Sequence, residues 1–184
     1  MKILIYGINY SPELTGVGKY TGEMSEWMAK EGHELKIITA PPYYPEWKIS
    51  SKYKNKYSKS FKENIEIIRC PIYVPKKQSP ALRILHLISF SISSFFYVLK
   101  NIWWKPDIVI QVVPTIFCST QTLLLCKLSG AKSIIHIQDY EIDAMYGLSF
   151  MKNKYLKKII NIIEKKILKS FDLVSTISEE MIQR

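Results

Sequence analysis

The sequence predicts an α/β fold, a Rossmann-like, doubly wound parallel sheet with helices on both faces. Short apolar runs alternate with longer helical patterns from end to end, the order that builds parallel strands joined by helical crossovers. Several runs, Lys2–Ile8 and Asp107–Val113 among them, lack regular polar alternation, as strands covered on both faces require. A glycine-bearing loop, Asn9–Met24, joins the first run to the first helix.

Taken in order, Lys2–Ile8 is the first strand. A helix starts at Gly16 or Val17 and ends at Glu31; Gly32 then suits the left-handed position that closes a helix. Glu34–Thr39 is the second strand and Ile65–Cys70 the third. Between them, Pro41-Pro42-Tyr43-Tyr44-Pro45 opens a long loop running through Lys48, Lys52, Lys54, Lys56, Lys59 and Lys62, too polar for core. Pro80–Trp104 is a long helix, Asp107–Val113 the fourth strand, Thr115–Leu128 a helix and Lys132–Gln138 the fifth strand. Lys152–Ser170 is a basic amphipathic helix, Asp172–Ile177 the sixth strand, and helix resumes at Ser178. A last helix of about seven residues is marginal alone, so a further domain is expected after Arg184.

A chain of 184 residues has room for one domain and is short for two. Its hydrophobic fraction of 47% and aromatic fraction of 12% support a sizeable core and exclude disorder. The net charge of +10 suits nucleic acid, anionic lipid or phosphorylated substrates. Lysine supplies most of it, whereas bidentate recognition of phosphates and bases favours arginine. No helix-turn-helix, RNP or zinc motif accompanies the charge, so nucleic acid is not an expected partner. Cys70, Cys118 and Cys126 are odd in number and lack C-x-x-C spacing. They read as small apolar core residues of a reduced compartment, which places the chain in the cytoplasm. The N-terminal run lacks a cleavage site and reads as a buried strand, not a signal peptide.

The first loop excludes two common phosphate sites. Gly16, Gly18 and Gly22 are spaced G-x-G-x-x-x-G, and seven residues separate Ile8 from Gly16, too many for the tight turn of a dinucleotide fingerprint. The second strand runs into Ala40-Pro41-Pro42 and not an acid for ribose hydroxyls. Gly18-Lys19 is followed by Tyr20 where a Walker A loop needs Ser or Thr. Two readings of the loop remain, a plain turn into a helix and an anion cradle at a helix N-terminus. His136 likewise is either a satisfied core histidine or a functional group at a strand end beside Asp139 and Glu141. Asp139, Glu141 and Asp143 alternate and could offer oxygen ligands to Mg²⁺, against the plainer reading of a solvated turn; no metal is expected. His33 and His86 read as structural.

The opening M-K-I-L-I-Y-G-I-N-Y-S-P-E-L-T-G-V-G-K-Y-T-G-E-M, followed by E-G-H-E-L-K-I-I-T-A-P-P-Y-Y-P-E-W, closely resembles the start of bacterial exopolysaccharide glycosyltransferases. These form the colanic acid biosynthesis branch of glycosyltransferase family 4. H-I-Q-D-Y-E (His136–Glu141) and V-S-T-I-S-E-E-M (Val174–Met181) match stretches the family carries at the ends of its fifth and sixth strands. The resemblance runs over essentially the whole chain, and its specific part is the opening through Trp47. It implies the N-terminal, acceptor-side half of a GT-B enzyme over residues 1–184, facing a C-terminal domain that holds the nucleotide-sugar. It also implies retaining, metal-independent transfer to a lipid-linked saccharide at the inner membrane, with no cofactor beyond the donor. Matched residue by residue, Gly16 and Gly18 fall on the family's first-loop glycines near the donor phosphates, with Lys19 and Tyr20 beside them. His136 falls on a histidine that touches the donor sugar.

Two segments raise the membrane. Ala81–Trp104 has an uncharged core, Ile84–Leu99, of sixteen residues, below the ~17–25 a bilayer crossing needs. It reads as buried in protein, with a monotopic contact through its aromatics as the alternative. In Lys152–Phe171, Leu156, Ile160, Ile163, Ile167 and Phe171 form a stripe and lysines occupy mostly the other faces. This is either a surface helix packed on the sheet or a helix that docks on anionic lipid. Functionally, an acceptor-side transferase domain is expected, and a non-catalytic Rossmann-like module binding a nucleotide or partner is the alternative.

Overall fold

The computed structural model describes residues 1–77, 79–138 and 154–179. One seven-stranded sheet organises them, in the order β3-β4-β2-β1-β5-β6-β7. Its strands are β1 (Lys2–Tyr6), β2 (Glu34–Thr39), β3 (Ser58–Lys62), β4 (Ile65–Arg69), β5 (Ile108–Val113), β6 (Lys132–Ile137) and β7 (Leu173–Thr176). All neighbours pair in parallel except β3, which runs antiparallel to β4. The helices are α1 (Gly16–Lys30), α2 (Pro80–Lys100), α3 (Ser119–Ser129) and α4 (Lys154–Leu168), with a short 3₁₀ turn at Ile116–Cys118.

The predicted alternation is present, and the central strands β1 and β5 are buried on both sides. Side chains alternate across a strand, so Leu4 and Tyr6 of β1 pack with Phe90 and Val98 of α2 and Leu125 of α3. Ile3 and Ile5 pack with Val17, Met24 and Met28 of α1 on the other face. Val113, Ile135 and Ile137 meet Ile167 and Leu168 of α4 and Phe171. The three cysteines are free and buried, as expected.

Three expectations need correction. The sheet has a seventh strand, β3, inside the lysine-rich segment read as loop. All five of its residues are exposed, so it has no apolar face for periodicity to reveal. Backbone pairing to β4 and a 2.7 Å ion pair from Lys59 to Glu66 hold it, and its lysines suit an edge strand. Second, α2 is buried on one face only. It stops at Lys100, where Asn101 turns the chain, and Ile92, Phe96 and Trp103 lie out in solvent at 69%, 79% and 81% exposure. By length and composition alone it could cross a membrane. Its inner face, however, is fastened to the sheet, where the Tyr6 hydroxyl meets Ser94 Oγ at 2.5 Å. Third, the predicted stripe of α4 seats Ile167 and Phe171 against the sheet but leaves Ile163 half exposed. The helix expected from Ser178 onward lies largely outside the described residues.

Candidate functional site

In a parallel sheet the loops at the strand C-termini form the ligand edge, and here two of these loops are locked together. The chain leaves β1 through Ile8, Asn9 and Tyr10, all buried, and then buries a carboxylate, Glu13, at 5% exposure. Asn9 Nδ2 donates to Glu13 Oε2 at 3.0 Å. The backbone N–H groups of Tyr43 and Tyr44, in the loop after β2, both donate to Oε1 at 3.2 Å. Burial raises the Glu13 carboxyl above the ordinary range, and the three donated hydrogen bonds pull the other way.

Arg69, at the end of β4, completes the clamp. Its Nη1 donates to Ala40 O at 2.8 Å and its Nη2 to Ser11 O at 2.6 Å. The guanidinium lies 5.0 Å from the Tyr53 ring and 6.0 Å from Tyr10. One arginine thus ties the loops after β1 and β2 to β4.

The glycines of the first loop are explained by this packing. Gly16 opens α1 at φ +59, a left-handed conformation that favours glycine. Gly18 is buried, and a Cβ there would lie 2.3 Å from Glu13 Oε2 and 2.7 Å from Glu13 Cβ. A Cβ on Gly22 would lie 2.8 Å from Ser11 Cβ. Thr15 makes no side-chain cap and the first turn itself carries no acid; the acid nearest the start of α1 is the buried Glu13, packed against Gly18. Lys19 and Tyr20 turn to solvent; Lys19 is 3.9 Å from Glu23 and 5.7 Å from the Tyr20 ring centroid.

His136 stands near the C-terminal end of β6, with β5 between it and β1. It pairs in register with Val112, which belongs to the α1-side cluster, so its ring projects to the same face as α1. It is half-buried, and its Nδ1 is 2.7 Å from Ser175 Oγ on β7. Burial holds its pKa below the usual value, which favours the neutral ring. Two residues on, Gln138 Nε2 donates to Thr21 Oγ1 on α1 at 3.4 Å. The first-loop helix and the tip of β6 are therefore brought together on one face. Asp139 and Glu141, with Asp143, lie outside the described residues.

Sequence reasoning missed Glu13, Arg69, Thr21 and Ser175. A lone acid in a polar loop gives no sign of burial, although a glycine five residues on in α1 leaves the space it fills. His86 is structural as expected. Its Nδ1 lies 2.5 Å from Tyr73 O, and its ring packs 4.7 Å from Tyr43 and 5.3 Å from Trp47.

Comparison with known proteins adds three findings. The model of the glycosyl transferase 4-like domain matches residues 15–184. The chain is 51% identical over 187 residues to a protein of Escherichia coli (strain K12) named as a colanic acid biosynthesis glycosyl transferase, WcaI. That alignment covers 100% of this chain and 46% of the relative, so the chain spans about half the length of the curated relative it matches. Among solved structures it is similar to the crystal structure of a ugt transferase from Siraitia grosvenorii in complex with UDP. There the identity is 13% and the TM-score 0.42, over 74% of this chain and 28% of that one, a likeness too distant to argue from.

Proposed function

The chain belongs to the glycosyl transferase 4-like domain family, and from that premise we propose that it is the acceptor-side half of a GT-B glycosyltransferase. The enzyme would move a sugar from a nucleotide-sugar to a growing, lipid-linked exopolysaccharide unit, with retention of configuration and without a metal. A second, donor-holding domain faces the strand C-termini. The observation that carries this reading is the junction of α1 and the β6 tip through Thr21 and Gln138.

The bond from the anomeric carbon to the diphosphate breaks, the acceptor oxygen bonds to the same face, and the hydroxyl proton leaves with the phosphate oxygen. Negative charge grows on the diphosphate, and backbone N–H groups at the start of α1, with Lys19 on its first turn, would stabilise it there. His136 contacts the donor sugar. With the Ser175 hydroxyl donating to Nδ1, the ring proton sits on Nε2 and can donate to a sugar hydroxyl. A neutral ring serves this role without repelling the developing oxocarbenium charge. Asp139 and Glu141, which follow β6 in the sequence, hold acceptor hydroxyls, and the clamp of Glu13 and Arg69 keeps the loop walls fixed so that orientation is not lost. A nucleotide-sugar donor and a lipid-linked acceptor place the domain in the cytoplasm against the inner membrane.

The test is transfer from nucleotide-sugars to lipid-linked saccharide by the domain joined to its donor-binding partner. His136→Ala should lower kcat by about 10²- to 10³-fold with intact folding. The product should retain the anomeric configuration, and EDTA should not inhibit. Unchanged kcat in His136→Ala removes the site assignment. Nucleotide binding without any transfer favours a non-catalytic Rossmann-like module.

A further inference from the structure

We propose that α2 is a membrane-contact helix whose outward stripe, Leu85, Ile92 and Phe96, continued by Trp103 in the turn that follows, beds into the interfacial zone of an anionic bilayer while its inner face stays on the sheet. This deepens the reading of a lipid-linked acceptor, but it rests on separate observations.

Leu85, Ile92 and Phe96 are spaced seven and four residues apart, which at 3.6 residues per turn places the three side chains within about 40° of one another; Trp103 follows in the turn after α2. Their exposures are 48%, 69%, 79% and 81%. Large apolar residues aligned in this way mark an interaction surface more than scattered ones do. From Leu85 to Phe96 the line runs about 16 Å. α3 packs beside α2 on the same sheet face and turns Leu124 and Leu128 outward as well.

Charge selects the occupant. From Ile67 to Gln138 the sequence has one acid, Asp107, against eight Lys and Arg residues. Lys100, Lys105 and Lys127 belong to this segment and are exposed. A second copy docking by this face would bring like charge against like. Anionic headgroups would neutralise it, since lysines near such a surface are attracted to it.

The geometry also sets the mode. Leaving the sheet to span a bilayer would break the Tyr6–Ser94 contact, the 2.7 Å bond from Gln121 Nε2 to Ser91 O and the 3.0 Å bond from the Tyr57 hydroxyl to Ser93 O. α2 therefore lies in the interface plane with Trp103 at one end, the depth that tryptophan favours.

The experiment is co-sedimentation of the chain with phosphatidylcholine vesicles, with and without phosphatidylglycerol, together with tryptophan fluorescence. The chain should bind the anionic vesicles with a blue-shifted emission. Ile92→Ser/Phe96→Ser/Trp103→Ser should weaken binding at least tenfold, and Trp103→Phe, which keeps the apolar surface, should bind yet lose most of the shift. Circular dichroism checks that both variants fold. No binding by the unaltered chain overturns the proposal. So does a triple variant that binds normally, or binding abolished by Lys165→Gln/Lys166→Gln/Lys169→Gln in α4 with Trp103 emission unmoved. Self-association removed by the triple variant, without vesicle binding, would assign the stripe to a second copy and overturn it too. No sugar enters the assay, so failure of transfer does not touch it.

Discussion

Gly18 and Glu13 behave as one feature. An alanine inside a helix normally gains up to about 1 kcal/mol over glycine, but at Gly18 the new methyl would meet Glu13 Cβ at 2.7 Å. Gly18→Ala should instead destabilise by about 1–3 kcal/mol, read from the midpoint of urea unfolding; a stabilised variant would show that the loop gives way. Glu13 adds a pH signature. Its folded pKa is raised by burial, so the native state favours the protonated form. Its contribution is fully present below the unfolded carboxylate pKa and is lost as pH rises through the raised value. The Tm of the unaltered protein should therefore gain on that of Glu13→Gln as pH falls from neutral to the ordinary carboxylate range. A constant gap would mean that Glu13 titrates normally. Little of this was legible in the sequence. The glycines were visible as a loop, but Glu13 acquires its meaning from the amides of Tyr43 and Tyr44, thirty residues away. His136 stood out through the family pattern, whereas Ser175, its partner across the β6–β7 register, carries no local signal.

At the scale of elements, β1 and β5 were legible because burial on both faces leaves nearly uninterrupted apolar runs. β3 was not, since backbone pairing alone holds it. α2 was half legible. Hydropathy marks the helix as apolar all round, but only the sheet reveals which serines point inward. Ser94 and Gln121 both meet the Tyr6 hydroxyl, so α2 and α3 are joined to the sheet through one phenol that burial keeps protonated. Tyr6→Phe would leave Gln121 Oε1 buried without that donor and should lower stability by about 1–3 kcal/mol, with an unchanged m value in urea. A neutral substitution would mean that the two helices hold without it.

For the molecule as a whole, the strand order puts the α1 loop and the β6 tip near the centre of one edge, with one strand between them. That edge is a single wall. Reaction chemistry needs water excluded and both substrates oriented, so residues 1–184 alone should show no turnover with nucleotide-sugars, measured by nucleotide release. Transfer by this stretch alone would sink the two-domain reading. The whole-molecule architecture was the most legible level, because alternation of strand and helix survives errors in any one element.

The central place of β1 has a consequence for synthesis. The first strand to leave the ribosome can pair with β2 early, through Ile3 with Leu35 and Ile5 with Ile37. Its other edge waits for β5, with Ile3 against Ile108 and Ile5 against Ile110. Translation of the stretch from Thr39 to Val113 takes about 4 to 15 s. Through that interval a nascent chain presents an apolar, half-paired edge while the stripe of α2 also emerges. The strand order that centres the site thus sets the window in which the unfinished polypeptide depends most on chaperones.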